Sequence, residues 1–146
     1  MVKPTISVLL VDDNAVFRNL AARFLGTLPG IELAGTAEGG ADGLLRALEL
    51  HPDLVLLDLH MRDEHGLRVI PQLRVLLPAV GIIALSWLDP HGFRQATLQA
   101  GADEFVDKMT MVNDLLPAIQ KVAQKMSAGV SFSSVEVHAG LAGLGC

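Results

Sequence analysis

Leu54-Val55-Leu56-Leu57-Asp58 is the stretch whose reading decides the fold. Four consecutive apolar residues leave no polar face, so a strand here is covered on both sides. The acid that ends the run then stands at the carboxyl end of a buried strand. Two further runs have the same form. Ile6-Ser7-Val8-Leu9-Leu10-Val11 ends in Asp12-Asp13, and Val80-Gly81-Ile82-Ile83-Ala84-Leu85 ends in Ser86. Two weaker strand patterns complete the set: Ile31 to Ala37, and Glu104-Phe105-Val106, which leads into Asp107-Lys108.

Amphipathic, helix-like stretches separate these runs at about residues 15–28, 40–51, 67–77, 90–100 and 112–126. The first places Val16, Leu20 and Phe24 at i, i+4 and i+8, which predicts that face as the buried one. Pro29-Gly30 and His51-Pro52 stop the first two helices. Pro71 and Pro117 are placed in first helical turns, where a missing N–H costs little. Five β-α units in this order predict a doubly wound α/β fold, a five-stranded parallel sheet with helices on both faces. The flavodoxin-like strand order 2-1-3-4-5 is the expectation. Residues 1–126 form the domain, and the Gly/Ala/Ser-rich residues 127–146 read as a tail or linker. The alternation Val130-Ser131-Phe132-Ser133-Ser134-Val135-Glu136-Val137 leaves an extra strand open there.

Composition narrows the function. A chain that is 51% hydrophobic and 18% charged is not disordered. Its net charge of -5 argues against direct nucleic-acid binding, which favours basic surfaces. The single cysteine, Cys146, excludes a disulfide framework. No apolar run approaches the roughly 20 residues of a membrane span, and the first residues lack a signal-peptide pattern. A soluble, cytoplasmic setting is expected.

In a doubly wound sheet, chemistry gathers at the carboxyl ends of the strands. There the sequence supplies Asp12, Asp13, Asp58, Ser86 and Lys108. Three carboxylates together repel one another unless protonated or bridged by a cation. Mg²⁺ suits them, because it prefers oxygen ligands and readily combines carboxylates with water and phosphate. A carboxylate can also attack phosphorus, and Lys108 and Ser86 would then offer donors to the phosphoryl oxygens.

Val11-Asp12-Asp13, the run Val55-Leu56-Leu57-Asp58-Leu59-His60-Met61 with Gly66 following, Ala84-Leu85-Ser86, and Gly101-Ala102-Asp103-Glu104-Phe105-Val106-Asp107-Lys108 together resemble the response-regulator receiver family. The resemblance spans about residues 5–126, and its strength lies in the ordered set rather than in any one motif. It implies that Asp58 accepts a phosphoryl group from a histidine kinase or phosphotransfer protein. It implies that Mg²⁺ is held directly by Asp13 and Asp58, through water by Asp12, and by the backbone carbonyl of His60. Lys108 would bind the phosphate, while Ser86 and Phe105 would move together as a switch that changes partner binding or self-association as a homodimer. Such a chain phosphorylates and dephosphorylates itself but turns over no separate substrate. Leu28 to Ala37 is similar to receivers that carry a helix-turn-helix output domain. The chain is thus either the receiver part of a transcription regulator or a stand-alone receiver.

Several positions depart from the family pattern. Trp87 follows Ser86 where a small residue is usual, so its indole either narrows access to Asp58 or turns toward the fourth helix. Arg62 and Met109 stand where proline is common, and a cis bond without proline costs about 2.5–4 kcal/mol, so the Lys108-Met109 bond is either trans or strained. His60 and Leu88 border the family's attacking water, and with Trp87 and Met109 they are expected to tune turnover. His51, His65 and His91 read as surface histidines. A haloacid-dehalogenase-type hydrolase needs an acid two residues after its nucleophile, where this chain has His60. A flavodoxin-like carrier would set Asp12-Asp13 against a flavin phosphate. A phosphorylation-independent pseudo-receiver, acting as an interaction module, is the remaining alternative.

Overall fold

The computed structural model describes residues 5–87 and 92–143, with side chains described through residue 127. Five strands, β1 (Ile6–Val11), β2 (Ile31–Ala37), β3 (Leu54–Asp58), β4 (Gly81–Ser86) and β5 (Glu104–Asp107), alternate with five helices. The helices are α1 (Ala15–Gly26), α2 (Gly40–Leu50), α3 (Gly66–Leu76), α4 (Phe93–Ala100) and α5 (Met111–Gly143), and a short 3₁₀ turn, Lys108–Thr110, precedes the last. All strand pairs are parallel, and the sheet order is 2-1-3-4-5, the flavodoxin-like order expected.

Strand periodicity divides the core between the two faces of the sheet. Leu9, Val11, Leu57 and Ile82 point to one side and pack with Ala47, Val69, Ile70 and Leu73 from α2 and α3. Val8, Leu10, Leu56 and Ile83 point to the other and pack with α1 and α5 through Phe17, Ala21, Leu115 and Ile119. Each fully buried Leu or Ile contributes about 1.5–3 kcal/mol relative to exposure, so the strand ends that carry polar groups are held rigidly.

The sequence reading needs correction in α1. The buried stripe is Phe17, Ala21 and Leu25, while Val16 and Leu20 are 78% and 60% exposed and Phe24 is only partly buried. Both stripes are apolar at i, i+4, i+8 spacing, and burying the Phe17 ring removes more apolar surface than burying Val16. Asn14 caps the helix by accepting from the Phe17 N–H at 2.9 Å. The prolines also sit deeper than first turns. Pro71 and Pro117 are the sixth and seventh residues of their helices, on exposed faces where an unbonded carbonyl can turn to water. Residues 127–143 prolong α5, so the strand reading of Val130 to Val137 gives way to helix.

Gly66 opens α3 against the end of β3. A Cβ there would lie 2.9 Å from both the Asp58 carbonyl oxygen and the Leu59 Cα, and backbone atoms cannot step aside cheaply. Gly66→Ala is therefore expected to lower stability by about 1–3 kcal/mol through overpacking, read as a shift in urea unfolding.

Candidate functional site: an acidic cluster bridged by a buried lysine

Four parallel strands deliver their carboxyl ends to one rim. Asp12 and Asp13 follow β1, Asp58 and Ser86 end β3 and β4, and Lys108 follows β5. Carboxylate oxygens of Asp12, Asp13 and Asp58 lie within 4.8 Å of one another. Lys108 Nζ reaches Asp12 Oδ2 at 2.7 Å and Asp58 Oδ1 at 3.1 Å. Asp12, Asp58 and Lys108 are all buried, Asp12 completely. Asp12 Oδ1 accepts from the Asn14 N–H at 2.8 Å, so both its oxygens are engaged.

Electrostatics follow from this packing. Burial pushes the Asp58 carboxyl above its usual range and the Asp12 charge adds to the rise, while Lys108 and the His60 backbone N–H oppose it. One ammonium cannot balance three acids, and the surplus negative charge favours a further cation. The donors are all hard oxygens within reach of a single ion, which fits Mg²⁺ rather than a metal that prefers nitrogen or sulfur. Asp13 also has a protein partner: its Oδ2 accepts from the Arg62 N–H at 2.8 Å and from Nε at 3.3 Å. Beside it opens an acidic cleft of about 430 Å³, lined by Asp13, Glu38, Asp42, Arg62 and Asp63 among others. Asp63 accepts from the N–H groups of Gly40 and Ala41 at 2.9 and 3.1 Å, and these bonds hold its carboxyl below the usual range.

The remaining predicted residues divide. Ser86 is fully buried beside Asp107 in the β4–β5 register. Phe105 is also buried, two residues before Asp107 on β5, with the Arg94 guanidinium carbon 5.0 Å from its ring centre. Trp87 is 53% exposed, and its ring meets the Phe17 ring of α1 edge-on at 5.6 Å. No cis bond occurs among the described residues, so Lys108-Met109 is trans. The Met109 N–H, which a proline would lack, donates to Asp107 Oδ1 at 2.8 Å and caps the 3₁₀ turn. Leu88 and His91 lie outside the described residues.

His60 and His65 face each other across a single bridge, with ring centres 5.0 Å apart, and Phe93 closes the group at 5.3 and 5.6 Å. His65 is half-buried, so the surface reading is corrected. Its Nδ1 accepts from the Leu67 N–H at 3.1 Å and caps α3, and burial, aided by His60, pushes its pKa down. The partnership of Phe17 and Arg62 with site residues carries no local sequence signal, although Arg62 does stand out as a departure from proline.

The 2-1-3-4-5 parallel sheet, with an acid cluster and a buried lysine at its carboxyl edge, has the CheY-like fold. Residues 8–120 match the response regulator receiver domain, and the chain belongs to that family. It is 34% identical over 121 residues to the response regulator protein VraR of Staphylococcus aureus, covering 82% of this chain but 57% of VraR. The chain thus spans little more than half the length of that relative. Among solved structures it resembles the signal receiver domain of the putative response regulator NarL from Mycobacterium tuberculosis, with TM-score 0.76, 27% identity, and 84% and 98% of the two chains covered. A LuxR-family two-component response regulator from Aurantimonas aligns with TM-score 0.78 and 22% identity over 90% and 99%, a likeness of fold. No helix among the described residues is long and apolar enough to cross a membrane.

Proposed function

We propose that the chain is a phosphorylation switch in which Asp58 takes a phosphoryl group from a histidine kinase or phosphotransfer protein. The observation that carries this reading is the single ammonium of Lys108 spanning Asp12 and Asp58 inside a three-carboxylate cluster. A carboxylate oxygen of Asp58 attacks phosphorus, the bond from phosphorus to the donor breaks, and the donor leaves with the electron pair. Mg²⁺, held by Asp13, Asp58 and the His60 carbonyl with Asp12 acting through water, would screen the charge that builds on the phosphoryl oxygens.

Lys108 is placed to donate to the same oxygens, and Ser86, one strand over, offers a hydroxyl. Phosphorylation would draw Lys108 and Ser86 toward Asp58 and bias the packing of Phe105 on β5, a two-state change with an electrostatic trigger. Phe105 is buried in this structure, so the conformer described has the ring inward. The output is a change in partner binding or self-association as a homodimer. Membership of the receiver family and the likeness to two-component response regulators support an output in transcription control, as part of a regulator or alone, and the setting this implies is cytoplasmic.

Incubation with Mg²⁺ and acetyl phosphate is the test. Intact-mass measurement is expected to show one phosphoryl group, labile to hydroxylamine and absent when EDTA is present. A chain that gains no mass would instead be a phosphorylation-independent interaction module.

A further inference from the structure

Lys108 carries three N–H donors on a side chain that is 2% exposed. Two directions meet Asp12 and Asp58. Another meets an aromatic face: Nζ stands 4.1 Å from the Phe17 ring centre and 5.5 Å from that of Trp87. Both distances lie within the roughly 6 Å over which a ring quadrupole attracts a cation. The two rings also brace each other, edge to face at 5.6 Å with planes 74° apart. Phe17 is buried in the core, while Trp87 is half exposed and closes the outer side.

We propose that Phe17 and Trp87 are positioning residues for Lys108. They form an aromatic wall that takes the place of water around the ammonium and keeps it aimed at Asp58. The inference rests on the reading of Asp58 as phosphoacceptor for its kinetic consequence, but not for the wall itself. A lysine on a flexible four-carbon stem loses aim when its head is free to hydrate. Here the carboxylates fix the head from one side and the rings from the other. When a phosphoryl group arrives, the ammonium has only to pivot between neighbouring anions. Trp87 therefore speeds phosphorylation, opposite in sign to a lid over the site.

The experiment compares wild type, Trp87→Leu, Trp87→Phe and Phe17→Leu. Both leucine variants keep an apolar side chain and remove a ring, and Trp87→Phe restores a π face. In the unphosphorylated proteins, ¹H–¹³C spectra report the ε-methylene protons of Lys108. These are expected upfield of an ordinary lysine in wild type, moved downfield in both leucine variants, and largely restored in Trp87→Phe. Initial phosphorylation by acetyl phosphate with Mg²⁺ is expected to slow about fivefold in Trp87→Leu and to recover in Trp87→Phe. A Trp87→Leu variant as fast as wild type, or faster, would overturn the positioning role and leave the indole as bystander or lid. Unchanged Lys108 resonances in both leucine variants would overturn the wall itself. If wild type takes up no phosphoryl group, the Asp58 reading falls, and the resonances still decide whether the rings hold Lys108.

Discussion

Asp58→Asn is expected to abolish phosphoryl uptake and, in Mg²⁺-free buffer at neutral pH, to make the domain harder to unfold than the wild type. The first effect is all-or-none, because the amide offers no anionic nucleophile. The second follows from linkage. Burial, reinforced by Asp12, raises the Asp58 pKa in the folded state above its usual 3.8. The native protein then binds more protons than the unfolded chain between those two values. The stability tied to protonated Asp58 is complete below about 3.8 and is lost as pH rises through the raised folded value. Above that raised value the wild type carries the cost of an ionised, buried carboxylate that the amide avoids. Urea unfolding at several pH values checks this: the gap between the two proteins should close as pH falls into the carboxylate range. Mg²⁺ at a hundredfold excess over its dissociation constant should stabilise the wild type by about 2.7 kcal/mol. The variant, one ligand short, should gain less. A variant less stable than wild type at neutral pH without Mg²⁺ would show that the Lys108 contact to Asp58 outweighs the desolvation cost.

The parts legible in sequence were those in which local pattern and tertiary need coincide. Leu54 to Leu57 read as a doubly covered strand, which places Asp58 at its end on the sheet's carboxyl rim. The same logic located Asp12, Ser86 and Lys108. What escaped was decided between elements far apart in the chain. Two apolar stripes on α1 gave no local reason to prefer Phe17 over Val16, and the choice made by packing is also what brings Phe17 under Lys108. Asp63 caps α2 from 22 or 23 residues downstream, a pairing without a local signature. Pro71 looked like a helix start because proline costs about 3 kcal/mol inside a helix, yet the helix begins five residues earlier at Gly66. Close packing of Gly66 on the Asp58 carbonyl fixes that start. The indole of Trp87 could be placed in the right neighbourhood, but its direction depended on the Phe17 ring.

Lys108→Met is expected to destabilise the folded state strongly. The substitution keeps a long apolar stem and removes only the ammonium, so lost packing is a small part of the effect. What remains is Asp12, wholly buried, facing Asp58 with no cation between them. Breaking a buried pair by deleting one partner costs about 3–5 kcal/mol, because the charge left behind is neither hydrated nor matched. That is a large share of the 5–15 kcal/mol that holds a typical domain together. Two conditions should restore part of it. Lowering the pH protonates the stranded carboxylates, and added Mg²⁺ supplies the missing positive charge through the same oxygens. Arg62→Ala provides the contrast, since that side chain is 90% exposed where it meets Asp13. Its loss should cost less than about 1 kcal/mol, since solvent already screens the pair. Chemical denaturation of both variants, with and without Mg²⁺, measures the difference. If Lys108→Met unfolds no more easily than Arg62→Ala in Mg²⁺-free buffer, then the lysine is not what holds the acid cluster together.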